Sequence, residues 1–173
     1  MQKFLVFLGS ARDSSPPRPA RLGMRVAQHC KIHLEAIGHE VELIDPLSIE
    51  LPASFKPHFA YARSAAPEAL DVLAAKIEAA DGYVMVSPEY NHSMSPALAN
   101  LLNHFGSSLF SYKPSAIVTY SAGQWGGARA AAKRAVRGRE APYNSMRMEI
   151  TIDGPLAAQL FEEAGRIESK CPK

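Results

Sequence analysis

Residues 82–96 read GYVMVSPEYNHSMSP. Gly82–Ser87 is a near-continuous apolar run, as expected of a strand buried on both faces of a parallel sheet. A polar segment follows, Glu89-Tyr90-Asn91-His92-Ser93, held between Pro88 and Pro96, which fix the backbone around it. Ser95 suits a helix N-cap and Pro96 the first helical position, where a missing N–H costs nothing. The stretch therefore predicts a strand, a polar loop and a helix running through Asn103.

The same pattern repeats outward in both directions. Lys3–Leu8 (KFLVFL) is a second apolar run, ending at Gly9. Leu22, Val26, Cys30, Leu34 and Ile37 have helical spacing and predict a helix over Leu22–Ile37, stopped by Gly38. Glu40–Ile44 predicts a strand ended by Asp45-Pro46, and residues 46–66 are irregular and hold several prolines. Further on, the pattern predicts a helix over Pro67–Ala80 with Pro67 at its first position, and a strand over Ser115–Ser121. An Ala-rich helix over Gly127–Val136, a strand over Arg147–Thr151 and a helix from Pro155 to about Glu168 complete the chain. Strands alternating with helices pair in parallel through right-handed crossovers. Five of them fit a flavodoxin-like three-layer α/β sandwich with strand order 2-1-3-4-5. No linker, repeat or low-complexity segment interrupts residues 1–173, so a single domain is expected.

Composition narrows the function classes. The chain has 173 residues, 47% hydrophobic and 21% charged, and 19 Lys+Arg against 17 Asp+Glu give a net charge of +2. A chain of this size can bury roughly 70% of its unfolded surface, which argues against overall disorder. No apolar run approaches the ~20 residues of a membrane-spanning helix, and Met1–Leu8 is too short for a signal-peptide core. Cys30 and Cys171 are far apart and match no metal-ligand or redox spacing. A cytoplasmic protein without membrane or nucleic-acid partners is expected, and the small positive charge is equally compatible with a small anionic ligand.

In such sheets a ligand sits beyond the carboxyl ends of the strands, where strand order reverses. The loops after the first, third and fourth strands should then carry the chemistry. The first holds Gly9-Ser10-Ala11-Arg12 and reaches the helix start at Leu22-Gly23-Met24. It offers a hydroxyl, backbone N–H groups and a guanidinium to an anion, but it is neither a dinucleotide fingerprint nor a P-loop. In the second loop, Tyr90 offers a planar surface to a ring, whereas a rim His92 is more often solvated than a base. The third, Ser121-Ala122-Gly123-Gln124-Trp125-Gly126-Gly127, has glycines that let backbone approach a flat ligand. No serine lies in a nucleophile elbow, and no metal cluster is apparent.

Gly9-Ser10-Ala11-Arg12, Ser87-Pro88-Glu89-Tyr90-Asn91-His92-Ser93, Asn100, Ser121-Ala122-Gly123 and Gly126-Gly127-Ala128-Arg129 together resemble the NADPH-dependent FMN reductase family, which includes quinone, chromate and azo-dye reductases. The resemblance covers nearly the whole chain and is most specific in the Pro-Glu-Tyr-Asn loop. It implies tightly bound, noncovalent FMN, with Ser10, Arg12, Leu22, Gly23 and Met24 at the phosphate. It places Pro88, Glu89, Tyr90 and Asn91 along the ring, and Ser121, Gly123, Gly126 and Gly127 at its other edge. Asp13–Ala20 departs from the family as an apparent insertion. Hydride would pass from NADPH or NADH through the flavin to a small acceptor such as a quinone, flavin, azo compound or metal oxyanion. No catalytic side chain is required beyond the flavin.

Arg18, Arg21 and Arg25 lie in or just beyond the insertion, so NADPH is expected over NADH, with Arg18 or Arg21 meeting the 2′-phosphate. The competing reading has these arginines solvated or on the FMN phosphate. Leu98, Leu101, Leu102 and Phe105 give one helix more apolar surface than a sheet face needs, which predicts a homodimer or homotetramer. Two other functions remain open: an electron-transfer protein with no hydride-donor site, and a nucleotide binder without redox work. Carriers of the first kind tend to be strongly acidic, unlike this chain.

Overall fold

A computed structural model describes residues 1–12, 21–62, 65–121, 127–131 and, as backbone, 147–152. Five strands, β1 (Lys3–Leu8), β2 (Glu40–Ile44), β3 (Gly82–Pro88), β4 (Ser115–Tyr120) and β5 (Arg147–Ile152), form one sheet in the order β2-β1-β3-β4-β5. All four pairings are parallel. The chain leaves β1 toward β2 on one side and returns to β3 on the other, so the reversal lies at β1, as expected.

The apolar runs are continuous because alternate residues serve opposite faces. Leu5, Phe7, Tyr83 and Met85 join one core with Leu70, Leu73 and Ile77 of α2 (Glu68–Ala79), Leu98 and Leu101 of α3 (Pro96–Asn103), and Phe110 of α4 (Ser107–Phe110). Val6, Leu8, Val84, Val86 and Val118 face the other way, onto Val26 and Ala27 of α1 (Leu22–Ala36). Gly38 follows α1 at φ +91 and stops it as predicted.

Several local expectations are corrected. Pro67 is the cap of α2 rather than its first residue, and α4 had no periodicity long enough to reveal it. Residues 46–66 contain two single 3-10 turns, Pro46–Ser48 and His58–Ala60. The apolar surplus assigned to an oligomer interface is consumed inside the chain. Leu98 and Leu101 are fully buried, Phe105 nearly so, and Leu102 packs on the same core. Ile49, Leu51 and Tyr61 from the irregular segment pack against that core, which a helix-by-helix reading could not foresee. The helix expected at Pro155–Glu168 and most of that at Gly127–Val136 lie outside the described residues.

Candidate functional site

The loops after β1 and β3 meet at the carboxyl edge of the sheet, and residues 127–131, beyond β4, bond to the second of them. After β1, the Gly9 N–H donates to the Val86 carbonyl at 2.7 Å. A Cβ on Gly9 would stand 2.5 Å from that same oxygen, so only glycine lets β1 and β3 run this close. Ser95 then ties three segments together. Its hydroxyl donates to the Gly9 carbonyl and accepts from the Leu98 N–H at 3.1 Å, capping α3. Its own N–H donates to Ser87 Oγ at 3.0 Å. All of this is buried, where an unmade hydrogen bond is costly.

The second loop is a tight two-residue turn. Tyr90 and Ser93 exchange backbone hydrogen bonds of 3.0 Å each, with Asn91 at φ 49 and His92 at φ 59. Positive φ at both central residues marks a type I′ turn, a region in which Asn and His are enriched among non-glycine residues. The turn is gripped on both sides. The Glu89 N–H donates to the Tyr120 carbonyl at 3.1 Å, and the Glu89 carboxylate accepts from the Ala130 N–H at 3.3 Å. Arg129 Nη1 donates to His92 Nδ1 at 2.8 Å. The Glu89 carboxylate lies 3.4 Å from the same Nδ1, so His92, Glu89 and Arg129 form one cluster at the tip of the turn.

Gly127 ends the third loop at φ +90, and a Cβ there would lie 2.8 Å from Thr119 Cβ. The backbone is helical over residues 128–131. Arg12 is exposed and lies over the Tyr90 ring, 5.1 Å from its centroid, joining the first loop to the second. Ser10 is buried, and its hydroxyl is hydrogen-bonded to Tyr120. Burial, with a smaller contribution from Tyr90, pushes the Tyr120 phenol well above its ordinary value, outweighing the Ser10 hydrogen bond and the nearby arginines. Tyr120 is thus a neutral hydrogen-bonding group. Gly23 passes so close to Ser10 and the Tyr120 hydroxyl that no side chain fits there.

Arg21 does not present a free guanidinium to a nucleotide phosphate, as the sequence suggested. It is bidentate to Asp45, at 2.6 Å and 2.8 Å, and also donates to the Ser10 carbonyl. Its backbone is left-handed, at φ 43, just before α1. Such a conformation in a non-glycine residue costs of order 1–3 kcal/mol, and the bidentate pair holds it in place. Burial alone would raise the Asp45 carboxyl, but hydrogen bonds from Arg21 and the Leu47 N–H, with the Arg21 charge, hold it below the usual 3.8.

Asp45→Asn should therefore destabilise the domain by about 1.5–3 kcal/mol at neutral pH. A depressed folded-state pKa gives stability that is present above the unfolded value and lost as pH falls through the folded one. The gap between wild type and variant should accordingly close below about pH 3.8 in denaturant melts. A gap that persists there would assign the loss to packing.

Pro88 is buried at the end of β3, Glu89 and Tyr90 are half-buried, and Asn91 is exposed. Leu22 is exposed and Met24 packs on the α1 core, while Ser121 directly follows β4. Gly123, Gly126, Trp125, Arg18 and residues 13–20 lie outside the described residues. Asp45, Ser87, Tyr120 and Arg129 were not foreseen as site residues. Asp45 showed only as a strand-ending Asp-Pro, and Arg129 only as part of a motif.

The sequence profile of the family described as NADPH-dependent FMN reductase matches residues 2–136. An NADPH azoreductase of Bacillus sp. is 34% identical over 87 residues, 50% of this chain and 49% of that protein. A quinone reductase of Pseudomonas putida is 33% identical over 112 residues, 61% and 59% of the two chains. The chain thus matches roughly half the length of these curated relatives. Among solved structures, FerB of Paracoccus denitrificans, a flavoenzyme NAD(P)H:(acceptor) oxidoreductase, superposes with a TM-score of 0.65 at 20% identity, covering 98% of each chain. A quinone reductase structure from Klebsiella pneumoniae gives 0.66 at 14% identity, covering 98% of this chain and 85% of that one.

Proposed function

The chain belongs to the NADPH-dependent FMN reductase family, and from that premise we propose that it is an NAD(P)H-dependent FMN oxidoreductase reducing a small acceptor such as a quinone or azo compound. The observation that carries this reading is the meeting of the Ser10–Arg12 loop, the Tyr90–Ser93 turn and Gly127 beyond β1, β3 and β4, at the reversal of strand order.

The donor set suits a flavin mononucleotide. A phosphate monoester needs donors and no bare carboxylate. Ser10, Arg12 and the start of α1 supply the donors, and the Asp45 carboxylate beside this loop is already neutralised by Arg21. When bound, FMN supplies two-electron hydride chemistry. The protein's residues then bind and orient. Arg12 would meet the phosphate, Tyr90 and the backbone of Pro88–Asn91 would lie along the ring, and Ser121 with Gly123, Gly126 and Gly127 would border its far edge. Glu89 holds the turn rigid through Ala130 and Tyr120 rather than moving a proton.

NADPH remains the proposed donor over NADH, with Arg18 proposed to meet the 2′-phosphate in place of Arg21, which is paired with Asp45. A homodimer or homotetramer is also part of this reading. It rests on Phe55 and Phe59, 55% and 68% exposed, rather than on α3.

Denaturing the purified protein and chromatographing the released flavin should yield FMN. The holoprotein should oxidise NADPH faster than NADH with a small quinone as acceptor. Released FAD, or no flavin after reconstitution, would overturn the proposal. Light scattering on the same sample tests the assembly, and a mass of 18.8 kDa alone would remove it.

A further inference from the structure

Two histidines on α1 have no part in the loops just described. His29 and His33 lie one helical turn apart, and His29 is seven residues beyond Leu22, about 10 Å along the axis. Residues at i and i+4 share a helix face. Their Nε2 atoms are 2.8 Å apart, with ring centroids at 4.3 Å and planes crossed at 76°. The same nitrogen of each ring therefore faces the other. Nδ1 of His29 is shut off from solvent, which leaves Nε2 as the nitrogen it can present, and His33 is exposed.

Two neutral imidazole nitrogens in adjacent positions form the donor set preferred by borderline divalent ions, with Cu(II) bound ahead of Ni(II) and Zn(II). We propose that His29 and His33 form a bidentate site for such an ion, Cu(II) most tightly, with water completing its coordination. Metal–nitrogen bonds of about 2.0–2.1 Å at adjacent positions put the two nitrogens roughly 3.0–3.4 Å apart. The rings need to separate by a few tenths of an ångström from their present contact and turn so that both Nε2 lone pairs converge on the ion.

The exchange balances without a redox step. In the free pair one Nε2–H donates to the other Nε2. With the exposed His33 as that donor, coordination by both Nε2 atoms moves its proton to His33 Nδ1 by way of water, and two waters leave the ion. Among the described residues no third His, Cys, Asp or Glu completes a metal cluster. A bound ion would staple one turn of α1, the helix whose first turn is proposed to face the flavin phosphate.

The test is calorimetric titration of the full-length, flavin-loaded protein with Cu(II) and Ni(II) salts in a non-coordinating buffer. One ion per chain is expected. His33→Gln, an exposed substitution, should weaken binding by about a hundredfold, because the second ligand acts at high effective concentration. His58→Gln, which alters a different imidazole paired with Asp71, should leave affinity unchanged. Electron paramagnetic resonance of the Cu(II) complex should report two equatorial nitrogens in wild type and one in His33→Gln. Ni(II) should raise the melting temperature of wild type and of His58→Gln but not of His33→Gln. Unchanged affinity in His33→Gln, equal loss in His58→Gln, or a one-nitrogen wild-type spectrum would overturn the proposal.

Discussion

Gly127→Ala is expected to cost the domain roughly 3–5 kcal/mol and to lower its melting temperature by about 10 °C. Two causes add. Gly127 sits at φ +90, where any Cβ is strained, and that Cβ would also meet Thr119 Cβ at 2.8 Å and the Tyr120 backbone nitrogen at 3.2 Å. Neither neighbour can retreat easily, since Thr119 is buried in β4 and Tyr120 belongs to the sheet backbone. Gly38 separates the two causes. It has nearly the same φ, +91, but no atom lies within 4 Å of its would-be Cβ. Gly38→Ala should therefore carry only the backbone strain, about 1–2 kcal/mol. The excess loss in Gly127→Ala then measures the closeness of Gly127 to β4. Flavin retention should fall in Gly127→Ala and not in Gly38→Ala. Equal melting temperatures for the two variants would mean that the Thr119 contact relaxes without cost.

Arg12→Ala is expected to behave in the opposite way, with a large effect on FMN and little on the fold. Arg12 is exposed, and its described contact is with the face of Tyr90. Exposed substitutions of this kind usually change stability by no more than about 0.5 kcal/mol. A charge-assisted bond to phosphate is worth about 1.5–3 kcal/mol, which corresponds to roughly 10- to 150-fold in affinity. Arg12→Lys should restore part of that loss, because it keeps the charge and forfeits the planar fork. Fluorescence titration of the apoprotein with FMN measures all three constants. Identical constants for wild type and Arg12→Ala would leave Arg12 as a cover for Tyr90 and nothing more.

Strand order was readable from the chain because it depends on periodicity. Continuous runs such as KFLVFL and GYVMVS can only be strands covered on both sides, and five of them separated by helices leave few topologies. Ser95 was also legible as a cap, since the cap signal is local. The Arg21–Asp45 pair was not, because it joins positions 24 residues apart across the top of the sheet and either residue alone reads as solvated. The same blindness affected α3. Its apolar surplus looked like an interface because the segment that packs beside it, around Ile49, Leu51 and Tyr61, has no regular pattern of its own.

The buried bonding of Ser95 also bears on how such a site can be re-engineered. One hydroxyl spans the end of β1 and the first turn of α3, while the amide of the same residue is anchored to Ser87 at the end of β3. The Gly9–Arg12 and Glu89–Ser93 loops are therefore spliced to a common post. Transplanting either loop from a relative, to alter cofactor grip or acceptor choice, would import a segment whose anchor belongs to the other. Successful chimeras should need Gly9, Ser87 and Ser95 to travel as one cassette.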